Sequence, residues 1–360
     1  MTQTVTEETV LAALSRVEDP ELHRDVISLG MIKDLRVSGE MVSLTLVLTT
    51  PACPVRAKFE ADVRTAISAV PGVKKVELVT SAMVKATRHF DQQGMPGVRN
   101  VVAIASGKGG VGKTTVSVNI AVALAREGAK VGLLDADIYG PNVPLMMGLE
   151  SLPPLKDSKI VPAENFGVKV MSMGFLVKPD DAVIWRGPML HGAVNKFLKE
   201  VLWDDLDYLL CDMPPGTGDV QLSLSQSIPL SGALIVTTPQ DVALLDVRKS
   251  IAMFEKVKVP ILGVVENMST FQCPHCGKTT DIFDKGGGAR AAELLKIPFL
   301  GEIPLVPDVR LGSDNGHPMV LTHPNSPAAQ AFVQIAKQLA ARVSILAVEE
   351  MERVKGVWKV

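Results

Sequence analysis

The chain has 360 residues, 47% of them hydrophobic and 21% charged, with a formal net charge of −2. This length exceeds one small domain and suggests two, and the near-neutral balance gives no bias toward polyanions, so no nucleic-acid partner is expected. No apolar run reaches the length of a membrane span, Met1–Val10 is polar and acidic rather than signal-like, and four cysteines exclude a disulfide scaffold, which together point to a reducing cytoplasm and no membrane partner.

Residues 1–90 read as a small α+β domain. Val10, Leu11, Leu14 and Val17 form a helical stripe over Glu7–Val17. Met41–Leu48 alternates, with Val42, Leu44, Leu46 and Leu48 on one face, as a half-buried strand does. Helical spacing returns over Val55–Val70 through Phe59, Val63, Ile67 and Val70, Pro71-Gly72 ends it, and Val73–Val79 alternates as a second strand. Residues 91–100, carrying Gln92, Gln93, Gly94, Pro96 and Gly97, read as a linker.

From 101 to 346 strands and helices alternate, which predicts an α/β domain with a doubly wound, mostly parallel sheet covered on both faces. The expected strands are Val101–Ala105, Lys130–Leu134, Val168–Met173, Tyr208–Cys211, Ala233–Thr237, Ile261–Val265 and Phe299–Gly301. The expected helices include Lys113–Glu127, Met189–Val201, Val242–Val257, Gly288–Lys296 and a closing Ala328–Leu346. The remaining tail, 347–360, mixes Met351, Val354, Val357, Trp358 and Val360 with Glu349, Glu350 and Glu352, a poor composition for anchoring to anionic lipid.

The first strand of this domain runs into Gly107-Lys108-Gly109-Gly110-Val111-Gly112-Lys113-Thr114-Thr115, and the loop opens a helix. This is G-x-x-x-x-G-K-[ST] in the strand–loop–helix context that a phosphate cradle needs. Loop amides and the positive helix end face phosphate oxygens, and the glycines admit close backbone approach. Lys113 would reach the β- and γ-phosphates and the Thr114 hydroxyl would hold Mg²⁺. Further on, Leu209–Asp219 reads as a Walker B and switch II segment, with Asp212 for Mg²⁺ and the Gly216 amide for the γ-phosphate. Cys273-Pro274-His275-Cys276-Gly277 has the spacing of a metal-binding knuckle. With no second such pair, one chain supplies two of the four ligands that zinc or an iron–sulfur cluster wants, and a twofold dimer would supply four around one [4Fe-4S] cluster. A zinc knuckle, a redox disulfide or a plain turn also fit the spacing, and Cys211 reads as a buried core residue.

Lys108 at the second loop position is similar to the extra lysine of the deviant Walker A ATPases that include MinD and ParA. With Asp212-Met213-Pro214-Pro215-Gly216-Thr217-Gly218-Asp219 and the cysteine pair in the same chain, residues 98–345 resemble the Mrp/ApbC family of iron–sulfur cluster carrier ATPases. Asp137–Pro141 and Trp185–Met189 add to the likeness, the latter with Arg186 available to a dimer interface. Asp19–Leu22 and Thr50–Pro54 resemble the PaaD-like metal–sulfur cluster assembly domain. There Cys53 lies ahead of a helix whose N-terminus would lower its pKa, or serves as a buried structural thiol. The resemblance implies an ATP hydrolase on a P-loop NTPase fold, coupled to cluster binding and transfer. Lys108 would act in trans across a homodimer, Asp137 would orient the attacking water, and Asp135 would sit near Mg²⁺. Asn267 would contact adenine, with Ile303–Arg310 on the other side of the base. Cys273 and Cys276 would hold the cluster, received from a scaffold or donor protein and passed to apo iron–sulfur proteins. A MinD/ParA-type positioning ATPase shares the loop but lacks the thiol pair.

Overall fold

Helix α1 (Glu7–Leu14) starts where Thr6 and Thr9 exchange side-chain and backbone hydrogen bonds in a capping box, with Glu7 and Glu8 in the positive first turn. The computed structural model of the chain describes residues 5–87, 95, 97–137, 140–176, 187–273 and 275–357. Gln92, Gln93, Gly94 and Pro96 of the expected linker, Ile138 and Tyr139, Trp185 and Arg186, Pro274, and Trp358 and Val360 of the tail lie outside the described residues. Two units emerge, Met1–Lys85 with Ser344–Val360, and Ala86–Val343.

In the first unit, the short pair β1 (Glu18–Asp19) and β2 (Arg24–Asp25) follows α1. Then come β3 (Ile32–Ser38), β4 (Met41–Leu48), α2 (Arg56–Ser68) and β5 (Lys75–Ala82). The sheet order is β3-β4-β5, antiparallel then parallel. Alternation along β4 turns Val42, Leu44, Leu46 and Leu48 into one core with Val10, Leu14, Phe59, Val63 and Ile67. β3 was not expected. Asp34 takes a left-handed φ of 51° and the pairing slips between Lys33 and Arg36, which breaks the alternation a sequence reading depends on. Arg64 of α2 reaches the outer edge of β5 and donates to the carbonyls of Val76 and Leu78 at 3.1 and 3.4 Å.

The second unit begins with β6 (Val101–Ala105), α3 (Lys113–Arg126), β7 (Val131–Asp135), α4 (Val143–Met146), β8 (Ala163–Asn165) and β9 (Val168–Ser172). It continues with α5 (Gly187–Lys199), β10 (Tyr208–Asp212), α6 (Asp219–Ser227), β11 (Gly232–Thr237), α7 (Asp241–Lys256) and β12 (Ile261–Gln272). β13 (Thr279–Thr280), α8 (Gly287–Leu295), β14 (Phe299–Leu305), α9 (Pro307–Asp314), α10 (Met319–Thr322) and α11 (Pro327–Val357) follow, and a 3₁₀ turn over Met173–Phe175 closes β9. The sheet runs β13-β12-β11-β6-β10-β7-β9-β8, with β14 also on β12. β6, β7, β9, β10, β11, β12 and β14 pair in parallel, while β8 and β13 are antiparallel. β6, β7, β10 and β11 are buried at every residue, the signature of strands covered on both faces. The chain passes from β6 to β7 leaving a place for β10 between them, so the loops after β6, β10 and β7 converge at one end of the sheet, where open α/β folds bind ligands.

The closing helix exceeds its expected span of 328–346. α11 runs from Pro327 to Val357, burying Phe332, Ile335, Leu339, Val343 and Ala347 on one side. By length and composition Pro327–Arg353 is apolar enough to cross a membrane, contrary to the sequence reading, although 56% of its most apolar window is buried, as a core helix would be.

Candidate functional site

Ser106–Gly112 turns from β6 into α3, and the turn demands glycine at two places for different reasons. Gly112 has φ 78°, and a Cβ there would stand 2.3 Å from the Asn267 amide nitrogen; a Cβ on Gly107 would meet the backbone of Asp246 at 2.6 Å. The loop lines a cavity of 340 Å³ with Lys108, Gly109, Gly110, Val111, Gly112, Lys113, Thr114 and Thr115, joined by Asp137, Asn142 and Pro215. Of the sequence-derived loop residues, Lys108 to Thr115 therefore share one concave wall, and Gly107 packs instead against Asp246. The Ser106 hydroxyl donates to the Lys108 carbonyl at 3.0 Å, which fixes that corner of the loop while the Lys108 side chain stays partly exposed.

Under the loop sits a buried carboxylate group. Asp212 ends β10 and Asp135 ends β7, and the two stand side by side in register. Asp212 Oδ2 accepts from Lys113 Nζ at 2.6 Å and Thr114 Oγ1 at 2.7 Å, while Oδ1 accepts from Ser117 Oγ at 2.5 Å. Asp135 accepts from the Ser172 hydroxyl at 2.8 Å and from the amides of Asp137 and Val143 at 3.1 and 3.3 Å. Burial, and then the charge of Asp212, push the Asp135 carboxyl well above the carboxylate range, against the Ser172 hydroxyl and Lys113. Asp137 Oδ2 lies 4.0 Å from Lys113 Nζ. Sequence reasoning missed Ser117 and Ser172. Ser117 was within reach, one helical turn past Lys113, but Ser172 acquires its role only through the pairing of Asp135 with Ser172 across β7 and β9. A hydroxyl and several carboxylates around one lysine are hard oxygen donors of the kind Mg²⁺ selects.

Two further residues from the sequence reading make their hydrogen bonds to the strand–loop segment itself. The Asn267 amide, expected at the base, donates to the Val111 carbonyl at 2.8 Å and is buried. The Gly216 amide, expected at the γ-phosphate, donates to the Ser106 carbonyl at 2.9 Å.

The thiol pair tips a hairpin. β12 runs seven residues past its expected end, so that Phe271 and Gln272 pair with Thr280 and Thr279 of β13, and Cys273–Lys278 make the turn. The Cys273 amide donates to the Lys278 carbonyl at 3.0 Å and the Gly277 amide to the Cys273 carbonyl at 2.9 Å. The amides of Cys276 and His275 and the Cys276 thiol donate to the Cys273 sulfur and hold its pKa below the ordinary value. Cys276 is exposed and Cys273 partly so. Among the described residues no group of three or more His, Cys, Asp and Glu side chains is placed to hold a metal.

Cys53, partly buried, follows the buried-thiol reading rather than the activated one. Burial, reinforced by the charges of Glu21 and Asp19, pushes its thiol up to about 11, outweighing the Val55 amide and Arg56. Desolvation wins over the nearby start of α2. Cys211, fully buried on β10, is likewise pushed up.

Residues 97–340 match the ParA family described as NUBPL iron-transfer P-loop NTPase, and residues 7–78 match a family described as iron–sulfur cluster assembly protein. An iron–sulfur cluster carrier protein of Deinococcus radiodurans is 52% identical over 344 residues, 95% of this chain and 97% of the relative. A nucleotide-binding protein of Archaeoglobus fulgidus, solved in complex with ADP, superposes with a TM-score of 0.58 at 40% identity, covering 66% of this chain and 93% of the other. The cell division ATPase MinD of Pyrococcus furiosus follows with a TM-score of 0.51 at 28% identity, over 71% and 99% of the two chains.

Proposed function

The chain belongs to the iron-transfer P-loop NTPases of the ParA family, with an iron–sulfur cluster assembly domain in front, and from that premise we propose that it is an ATP-dependent iron–sulfur cluster carrier. Its cargo is a [4Fe-4S] cluster, bound between two copies of the chain, taken from a scaffold or donor protein and delivered to apoproteins. One observation carries this reading. Cys273 and Cys276 stand together at an exposed hairpin tip, with amides already turned to one sulfur, and supply half of a four-thiolate set.

The remaining roles follow from the cavity. Lys113 and the loop amides of Gly109–Thr115 bind the ATP phosphates, and Asn267, joined to the loop through the Val111 carbonyl, contacts the base. Thr114, Asp135 and Asp212 would hold Mg²⁺, which when bound neutralises charge on the phosphate oxygens. Asp137, beside Lys113 at the cavity wall, positions the attacking water. Lys108 reaches the partner's nucleotide, which makes the dimer the hydrolytic unit.

Anaerobic reconstitution with iron and sulfide tests the reading. The wild type should bind about four iron atoms per dimer with broad absorption near 400 nm, and the Cys273→Ala/Cys276→Ala protein should bind none. Stoichiometric zinc without iron would replace the carrier by a structural knuckle, whose amide-to-sulfur bonds are the same.

A further inference from the structure

Strand β12 meets both the nucleotide loop and the thiol pair. Midway along it Asn267 holds the Val111 carbonyl, and the Met268 methyl carbon lies 3.5 Å from where a Cβ on Gly112 would be. At its far end Gln272 leads directly into Cys273, at most about 20 Å of extended chain from Asn267.

Between these points the strand is irregular. Met268 has φ 59°, a left-handed conformation that side chains seldom take. Pairing with β14 sets Asn267 opposite Ile303 and Phe271 opposite Leu305, so Met268, Ser269 and Thr270 bulge across from Pro304 alone. Both flanks are fixed. Ahead of the bulge the buried Glu266 carboxylate accepts from the amides of Gly286 and Gly288 at 3.0 and 2.6 Å. Beyond it the hairpin is tied to the strand end by the β12–β13 pairs and by Gln272 Nε2 on the Gly277 carbonyl at 3.3 Å.

We infer that Asn267 is a positioning residue for the thiol pair: by holding the Val111 carbonyl it sets the bulge at Met268, so a nucleoside triphosphate in the loop alters how Cys273 and Cys276 are presented. The inference rests on the carrier reading for its cargo and adds the joint through which the two sites communicate. The Val111 carbonyl and the Gly112 amide belong to one rigid peptide plane. A phosphate that draws the amide tilts the carbonyl, and Asn267 follows it into a segment with a single strained residue to absorb the motion. Linkage then requires the reverse effect, a bound cluster shifting nucleotide affinity by the same factor.

The test is site-resolved alkylation by iodoacetamide, read by mass spectrometry at Cys273 and Cys276 in the cluster-free full chain. It is run with and without Mg²⁺ and a non-hydrolysable ATP analogue, supplied to each protein well above that protein's own Kd. In the wild type the analogue should change the alkylation rate about fivefold or more. In Asn267→Asp, which keeps the shape but loses the amide donor, and in Met268→Gly, which adopts the same φ without strain, the ratio should fall to about one. A wild-type ratio in either variant overturns the inference, as does a wild-type protein whose thiols ignore the analogue. Failure of the carrier reading is registered separately, as absence of iron in the reconstituted dimer, and leaves the alkylation ratio readable.

Discussion

The Glu21 carboxyl titrates far from where an exposed glutamate would. Burial, with the charge of Asp19 added, raises it from 4.5 to about 7. A carboxyl raised in this way contributes stability that is complete below pH 4.5 and is lost as pH rises through 7. Glu21→Gln, neutral throughout, should therefore raise stability at pH 8 by about 1 kcal/mol, the full linkage value being cut by solvent at a partly exposed group. The gain should shrink toward pH 5, and urea unfolding at the two pH values reads the difference. Gln221, early in α6, is buried with neither amide atom hydrogen-bonded. Leaving such a group unpaired costs about 1–3 kcal/mol, so Gln221→Met should raise the melting temperature in calorimetry, and a fall would refute that account. The loop residues from Gly107 to Thr115 were legible because their spacing alone encodes the chemistry. Ser172 was not, since a lone hydroxyl gains meaning only from the strand beside it, and Cys53 stayed open between two readings because the start of α2 shows in the sequence while burial does not.

At the level of elements, β5 has β4 on one side and the Arg64 guanidinium across carbonyls on the other. Charged guards of this kind keep sheet edges from pairing with other chains. Arg64→Ala should leave the melting temperature nearly unchanged and increase self-association in sedimentation velocity as concentration rises. Elements with unbroken periodicity were readable to within a residue or two, β4 and β6 being the clearest. Those interrupted by left-handed residues were not. Asp34 hid β3, and Met268 hid the second half of β12, the part that leads into the thiol hairpin. In both places the backbone departs from the period that makes a strand visible, and the second departure lies between the two candidate sites.

For the whole molecule, the proposed dimer makes a quantitative claim. If Lys108 completes the partner's site, Lys108→Ala and Lys113→Ala proteins should each be inactive alone. Mixed and allowed to exchange subunits, they should recover about a quarter of wild-type ATPase activity, since half the dimers are mixed and each has one complete site. A mixture as inactive as its components would place Lys108 in its own subunit's site. The first unit is itself assembled from distant parts of the chain: Ser344 donates to the Thr49 carbonyl at 3.4 Å, and Arg24 pairs with Glu352. That arrangement has a consequence on the ribosome. Residues 5–85 emerge early, but the stretch of α11 from Ser344 onward that belongs with them follows only after the whole second unit has been made. At about 5–20 residues per second that is a wait of roughly 15–50 s, during which the early part is exposed as an unfinished surface. The unit translated first is thus the last to close, and synthesis interrupted late in the message would release a chain with its nucleotide loop complete and its first unit still open.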